Sequence, residues 1–159
     1  MQKTLLSLLL IAVGFVFLSC EKSDGPDQTK QKSEEDLAVE KLTGGSSITW
    51  TVANGGAVTK DGNPVTGDFS SLELRLISTA SSRSYTTTTN SLFDLSGDWS
   101  FVGGNFDKIQ FSGNQPAAGK EISFSRNGDK LTLKFNIPLP NARATALAGS
   151  YTFELVRKP

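Results

Sequence analysis

Apolar and polar residues alternate with a period of two in eight segments of residues 43–159. Because successive side chains of a strand point to opposite faces, this alternation predicts strands that are buried on one face only, which is typical of antiparallel sheets. The eight segments are residues 48–52, 72–76, 85–89, 99–101, 109–111, 122–124, 131–137 and 151–155. The pattern therefore predicts an all-β domain of eight antiparallel strands.

The residues between these segments are typical of tight turns. Asn127-Gly128 predicts a hairpin, and Pro138 ends the seventh segment because proline donates no backbone hydrogen bond. Short connections favour an up-and-down meander, and an eight-stranded meander removes its exposed edges by closing into a barrel. We therefore predict one domain, residues 43–159, folded as an eight-stranded up-and-down barrel. A two-sheet sandwich with Greek-key connections is the main alternative.

At the beginning of the chain the alternation is replaced by a continuous apolar run. Lys3 precedes this run, which covers residues 5–18, and Ser19 and Cys20 follow it. This order is typical of a secretory signal peptide, and the run is shorter than the roughly 20 residues that span a bilayer. We predict a signal peptide over residues 1–19.

The run ends with Phe17-Leu18-Ser19-Cys20, and these residues resemble the lipobox of bacterial lipoproteins. The resemblance implies that Cys20 receives a diacylglyceryl group and becomes the lipidated N-terminus. It also implies a lipid anchor in the outer membrane, on its periplasmic face or at the cell surface. Cys20 is the only cysteine of the chain, so an intramolecular disulfide is excluded.

Residues 20–42 are polar and rich in charge, with too few apolar side chains to form a core. We predict that this segment is a flexible tether between the lipid and the barrel. Within it, Ser33 followed by three acidic residues is typical of a capped helix start. A short helix is therefore expected here, and Leu37, Val39 and Leu42 are its candidates for docking on the barrel.

Four short motifs in residues 43–158 resemble, in their order, small lipocalin-like lipoproteins of Bacteroidota. They are Lys60-Asp61-Gly62-Asn63-Pro64-Val65-Thr66, Tyr85-Thr86-Thr87, Ser96-Gly97-Asp98-Trp99-Ser100-Phe101 and Gly149-Ser150-Tyr151-Thr152-Phe153. Most members of that group have no known function. The resemblance implies a calycin-type, lipocalin-like barrel, and it implies no activity and no catalytic residue.

The inventory of reactive side chains is small. The chain contains no histidine and its one cysteine is the predicted lipid acceptor, which excludes Ser-His-Asp, Cys-His and His-containing zinc sites. The segment 94–98 has acids at a spacing seen in calcium loops, but it lacks the closing glutamate and is better interpreted as a turn. We predict a protein that is not an enzyme and that uses neither a cofactor nor a metal.

Charge gives no indication of a nucleic-acid partner. The whole chain has 16 basic and 16 acidic residues, and those of the barrel domain are spread along the strands. A nucleic-acid-binding surface would need a basic cluster or interleaved basic and aromatic residues.

The aromatic residues allow two interpretations. They either line a ligand cup, as in lipocalins, or fill the core, since an eight-stranded barrel is just wide enough for either. Their bulk favours a mostly filled barrel, with any ligand near an open end. The residues that are possible ligand contacts or core residues are Trp50, Trp99, Phe101, Phe111, Phe135 and Tyr151.

A binding surface on the loops is the other class of function that the sequence allows. The loops 55–68 and 112–119 would form it, with Phe69, Phe93 and Phe106 as exposed contacts. The predicted function is thus a membrane-anchored, non-catalytic binding or accessory module, whose partner is a small apolar ligand or a surface glycan or protein. The alternatives are a carrier of a small apolar ligand inside the barrel and a carboxylate-dependent hydrolase.

Overall fold

A computed structural model describes residues 31–139 and 145–159. Cys20, the predicted signal peptide and the first part of the predicted tether lie outside the described residues. Residues 31–159 belong to one compact unit. Its elements are helix α1 (Glu34–Thr43) and the strands β1 (Ser47–Thr51), β2 (Ala57–Lys60), β3 (Asn63–Pro64), β4 (Glu73–Ser78), β5 (Arg83–Thr87), β6 (Ser96–Phe101), β7 (Lys108–Phe111), β8 (Ile122–Asn127), β9 (Lys130–Ile137) and β10 (Gly149–Arg157), with 3-10 turns at Thr66–Phe69 and Thr145–Leu147.

Eight of these strands form a closed antiparallel barrel in the order β1-β4-β5-β6-β7-β8-β9-β10. The barrel closes where β1 pairs with β10, at Trp50 opposite Arg157 and Thr51 opposite Val156. The prediction of an eight-stranded up-and-down barrel is therefore confirmed. A sandwich is excluded because the first and last strands pair with each other instead of lying in separate sheets.

The segment 55–68, which the sequence analysis treats as a loop, contains β2 and β3. Beyond β1, β2 continues along the same edge of β10, with Val58 opposite Phe153. Residues 52–56 form a tight excursion between β1 and β2, and a Cβ on Gly56 would lie 2.7 Å from the Cα of Val52. Only glycine fits there, which lets the chain return to β10 at once. The loop prediction is wrong here because pairing with a long neighbouring strand overrides local turn-forming composition.

Helix α1 covers one end of the barrel, which we call the helix end. Its N-terminus carries the predicted cap: the Asp36 N–H donates to Ser33 Oγ (3.1 Å) and the Ser33 N–H donates to the Asp36 carboxylate (3.2 Å). Of the three predicted docking residues, Leu42 is fully buried, Val39 is partly buried and Leu37 is 46% exposed. The docking prediction thus holds for Leu42 and is wrong for Leu37, which lies on the solvent face of the helix.

Two arginines fasten α1 to the barrel wall. Arg126 donates to the carbonyl oxygens of Glu40 (3.3 Å) and Lys41 (3.1 Å), which lie in the last turn of the helix. Its guanidinium also lies 5.2 Å from the ring centre of Trp50, whose Nε1–H donates to the carbonyl of Leu42 (2.9 Å). Arg83 forms an ion pair with Glu35 in the first turn. The helix is therefore held at both of its ends.

The opposite end, which we call the loop end, is closed by aromatic side chains. Phe69 and Phe93 are 5% and 3% exposed and contact the rings of inward-facing strand residues. The expectation that these two residues are exposed on loops is wrong, and Phe106 is half-buried. The ring centres in contact are 5.1–6.5 Å apart and belong to Phe69, Phe93, Phe111, Phe135, Tyr151 and Phe153. This half of the barrel is filled by its own side chains.

Candidate functional site

The structure divides the six aromatic candidates into five core residues and one rim residue. Phe101 is half-buried at the helix end, where its ring lies beside Phe106 and Phe124. The other five are at most 5% exposed and are Trp50, Trp99, Phe111, Phe135 and Tyr151. These five belong to the hydrophobic core cluster of the barrel. Cys20, the predicted lipidation site, lies outside the described residues.

Two open clefts flank the segment 94–98 on the outer surface of the barrel. One has a volume of about 330 Å³, and its side chains include Asp98, Ser100, Gln110 and Ser112. The other has a volume of about 510 Å³, and its side chains include Asn90, Asp94, Leu95 and Gln115. We call these two clefts the segment-94 clefts.

Asp94 joins the two loops that form the clefts. Its Oδ2 accepts hydrogen bonds from the backbone N–H groups of Asn114 (2.8 Å) and Gln115 (2.9 Å). A Cβ on Gly113 would lie 2.0 Å from the same oxygen, so only glycine allows this approach. In residues 31–139 and 145–159 there is no group of three or more His, Cys, Asp or Glu side chains suited to a metal ion. Through its two hydrogen bonds the carboxylate of Asp94 positions the 112–119 loop.

Tyr85 supports the same loop from inside the barrel wall. Its hydroxyl donates to the carbonyl of Ser112 (2.8 Å), while the Ser112 Oγ accepts from the N–H of Asp98 (2.7 Å). Burial, followed by the negative charges of Asp94 and Asp98, raises the pKa of Tyr85 to about 12. The hydroxyl thus stays protonated well above pH 10 and keeps donating its hydrogen bond to Ser112, whose position is fixed from both sides.

Asn90 shapes the second cleft. Its Oδ1 accepts from the N–H groups of Leu92 (2.9 Å) and Phe93 (2.7 Å), forming a turn that directs Phe93 into the barrel. Two residues after Phe93 the chain is back at the protein surface, where Leu95 is 60% exposed. The sequence analysis did not select Asn90, although an asparagine two and three residues before an apolar pair is a recognisable signal for such a turn.

The side chains of the segment-94 clefts favour neutral polar ligands. Seven lining residues carry a hydroxyl or amide group, two carboxylates add hydrogen-bond acceptors, and no lysine or arginine is among the lining residues. Apolar side chains, among them Trp99, Phe111 and Phe93, form the rest of the lining together with two glycines. Hydroxyls and amides both donate and accept hydrogen bonds, so they complement groups of the same kind. The exposed Leu95 adds one apolar contact.

Two further observations bear on the identity of the chain. Comparisons with family models, with curated proteins and with solved structures found no match to it. Within the described ranges, no helix is both long enough and apolar enough to span a bilayer. Function must therefore be argued from the geometry of the barrel and its clefts.

Proposed function

We propose that this chain is a lipid-anchored, non-catalytic binding module whose lipocalin-like barrel binds a neutral carbohydrate segment at the segment-94 clefts. The observation that carries the proposal is the lining of these clefts. They combine preorganised hydroxyl, amide and carboxylate groups with a single exposed apolar side chain, Leu95, and contain no basic residue.

The filled interior supports binding at the outer surface over transport inside the barrel. The aromatic ring contacts between Phe69, Phe93, Phe135 and Phe153 occupy the loop end, where a carrier would need an entrance. Protein interiors are close-packed, so a ligand of fatty-acid size would have to displace several rings together. A carrier of an apolar ligand is the less favourable alternative.

The rigidity of the clefts supports recognition of a polar ligand. A sugar binds weakly per group because its hydroxyls exchange one set of hydrogen bonds, those to water, for another. Affinity therefore depends on side chains that are already positioned, so that little conformational entropy is lost on binding. Asp94, Asn90 and Tyr85 provide this by fixing the loops, and Gln110, Ser100 and Leu95 are left at the surface to contact the ligand.

The anchor completes the proposal. A diacylglyceryl group on Cys20 carries two acyl chains, which is the number that holds a protein stably at a membrane. Residues 21–32 would then separate the barrel from the lipid and allow its clefts to reach ligands at a cell surface or cell wall.

The proposal is tested by presenting the purified protein to an array of neutral and charged glycans and measuring affinity for those it retains. Gln110→Ala, which removes an exposed amide from the first cleft, should weaken binding about fivefold or more, since one hydrogen bond contributes about 1 kcal/mol. Gln110 Nε2 donates to Ser100 Oγ (3.3 Å). Asn136→Ala is the matched control, because Asn136 is an exposed amide on β9 that likewise bonds one serine, accepting from Ser150 Oγ (3.2 Å).

Three results would contradict the proposal. They are retention of no glycan, equal affinities for Gln110→Ala and Asn136→Ala, and a preference confined to anionic glycans. A fluorescent fatty acid is titrated in parallel. Saturable uptake that a bound glycan does not prevent would instead favour the carrier.

A further inference from the structure

The barrel wall has a step at the helix end, where β6 extends beyond its neighbour β5. Strands β5 and β6 are paired from Thr86, which is opposite Ser96, to Ser84, which is opposite Asp98. The pairing ends there. Strand β6 continues for three more residues to Phe101 and pairs over that length with β7, where Phe101 lies opposite Ile109. Arg83, the first residue of β5, is the last one opposite β6, at Trp99, so one edge of β6 is without a neighbouring strand over residues 100–101.

The step originates in the turn between β4 and β5. The N–H of Thr79 donates to the carbonyl of Ser82 (2.8 Å), and the N–H of Ser82 donates back to Thr79 Oγ1 (3.0 Å). This closes a tight turn over residues 79–82, so the chain reverses before it reaches the level of Ser100. The side chain of Arg83, the first residue of β5, is directed to Glu35 on α1 and lies over the rings of Trp99 and Phe101.

Phe101 has backbone hydrogen-bonding groups at this edge. The next residue, Val102, bonds to β7 through its N–H and the carbonyl of Lys108 (3.0 Å). Because hydrogen-bonded and non-hydrogen-bonded pairs alternate along an antiparallel ladder, the N–H and C=O of Phe101 point away from β7, toward the step. Among the described residues none hydrogen bonds to either group.

A cleft of about 490 Å³ lies at the step. Its lining includes Ser81, Ser82, Arg83 and Asp98 together with Trp99. Asp98 and Ser100 are exposed on the outer face, whereas Phe101 contributes a half-buried ring on the inner side. A peptide laid along the edge would thus meet an apolar ring on one face and a carboxylate on the other.

We propose that the free edge of β6 accepts a short extended peptide of a partner protein as an added strand. Strand addition supplies affinity through main-chain hydrogen bonds and specificity through alternate side chains. The peptide that fits would place an apolar side chain beside Phe101 and a basic side chain beside Asp98. This inference does not depend on the carbohydrate proposal. The two proposals share Asp98 and Trp99 as lining residues, but Phe101, on which this inference rests, lines neither of the segment-94 clefts.

A second copy of this chain fits the edge less well than a peptide does. The uncovered edge is two residues long, which corresponds to roughly 7 Å of strand. A stable interface between folded proteins buries about 800 Å² on each partner, far more than such an edge offers. A single peptide strand needs only the edge and the adjoining cleft.

The test selects peptides from a displayed library of random ten-residue sequences against the immobilised protein. Selected peptides are then titrated against two variants. Phe101→Pro removes both the ring and the N–H, and Phe101→Ala removes the ring alone. Since the N–H of Phe101 takes no part in the barrel, Phe101→Pro should bind about fivefold more weakly than Phe101→Ala, the effect of losing one hydrogen bond.

A second measurement covers the case in which Phe101→Pro fails to fold. In the unaltered protein the amide of Phe101 should exchange rapidly and become protected when the peptide binds, and a peptide N-methylated at alternate residues should give no protection. The proposal is overturned if no peptide is enriched, if the two variants bind equally, if the Phe101 amide stays unprotected, or if sedimentation shows that the edge pairs two copies of the chain.

Discussion

Tyr85 and Tyr151 each place a hydroxyl group in the barrel wall, with one backbone acceptor apiece. Tyr85 donates to the carbonyl of Ser112 (2.8 Å) and Tyr151 to that of Leu147 (3.0 Å). Burial is the first cause that raises the pKa of both phenols, and nearby carboxylates add to it. These are the only two tyrosines of the chain, so their titration can be followed without other tyrosine signals.

The raised pKa of Tyr85 predicts how stability changes in alkali. An unfolded tyrosine loses its proton near pH 10, whereas folded Tyr85 keeps it until about pH 12. The stabilisation from this difference is complete below about pH 10 and is lost as the pH rises toward 12. Tyr85→Phe should therefore cost about 1 kcal/mol at neutral pH, from the lost hydrogen bond, and show a flatter decline above pH 10.

Denaturant unfolding at a series of pH values and phenolate absorbance of the folded protein both check this prediction. Tyr151→Phe isolates the absorbance of Tyr85 and leaves the 112–119 loop intact. A phenolate midpoint near pH 10 for folded Tyr85 would contradict the burial of its hydroxyl.

At the scale of elements, α1 depends on the barrel for its stability. A helix of ten residues is marginal by itself in water, even with the capping box at Ser33. Leu42 is completely buried at its C-terminal end, and the carbonyl of Leu42 accepts the Trp50 Nε1–H. The helix therefore exists mainly because this end is docked.

A matched pair of substitutions tests the docking of α1. Leu42→Ala should lower the free energy of unfolding by about 2–5 kcal/mol, the usual range for removing a buried leucine. Leu37→Ala, on the same helix but 46% exposed, should change it by no more than about 0.5 kcal/mol. Thermal or urea unfolding gives both values. Similar losses for the two variants would mean that the helix lies on the barrel with another face.

At the scale of the whole molecule, the proposed arrangement joins a membrane anchor to a folded barrel through the polar residues 21–32. Within the described chain, α1 begins at Glu34, so the connection to Cys20 enters the domain at the helix. In the proposal the acyl chains of Cys20 provide the attachment, since most of the large apolar side chains of the described barrel lie in its core.

Cys20→Ser provides the test of the anchor. Loss of the thiol removes the acceptor of the diacylglyceryl group, so the variant should move from the membrane fraction to the soluble fraction. Ser19→Ala, which keeps a small residue before the cysteine, should remain with the membrane and serves as the control. Continued membrane association of Cys20→Ser, or loss of the control from the membrane, would assign the attachment to another feature.

The local pattern of the sequence was sufficient to predict the eight strands of the barrel, although not the short strands β2 and β3. Alternation in segments such as 131–137 reflects one-sided burial, and that condition holds wherever the strand is placed in a sheet. The capped start of α1 was also predictable, because Ser33 and Asp36 satisfy each other within one turn. Because the connections are short, consecutive strands were expected to be neighbours in the sheet. An eight-stranded meander of this kind removes its edges by closing, so a barrel could be predicted.

Only the tertiary structure decided what the loops and ends of the barrel do. Phe69 and Phe93 lie in turn-forming segments, yet they are buried because their rings close the loop end of the barrel. The clefts around Asp94 and the free edge of β6 likewise depend on where two separate turns end relative to each other. Alternation along one strand contains no information about its neighbour's length or about a loop distant in sequence. For that reason the sequence determined the architecture of this protein, and the packing of its turns decided where it can bind.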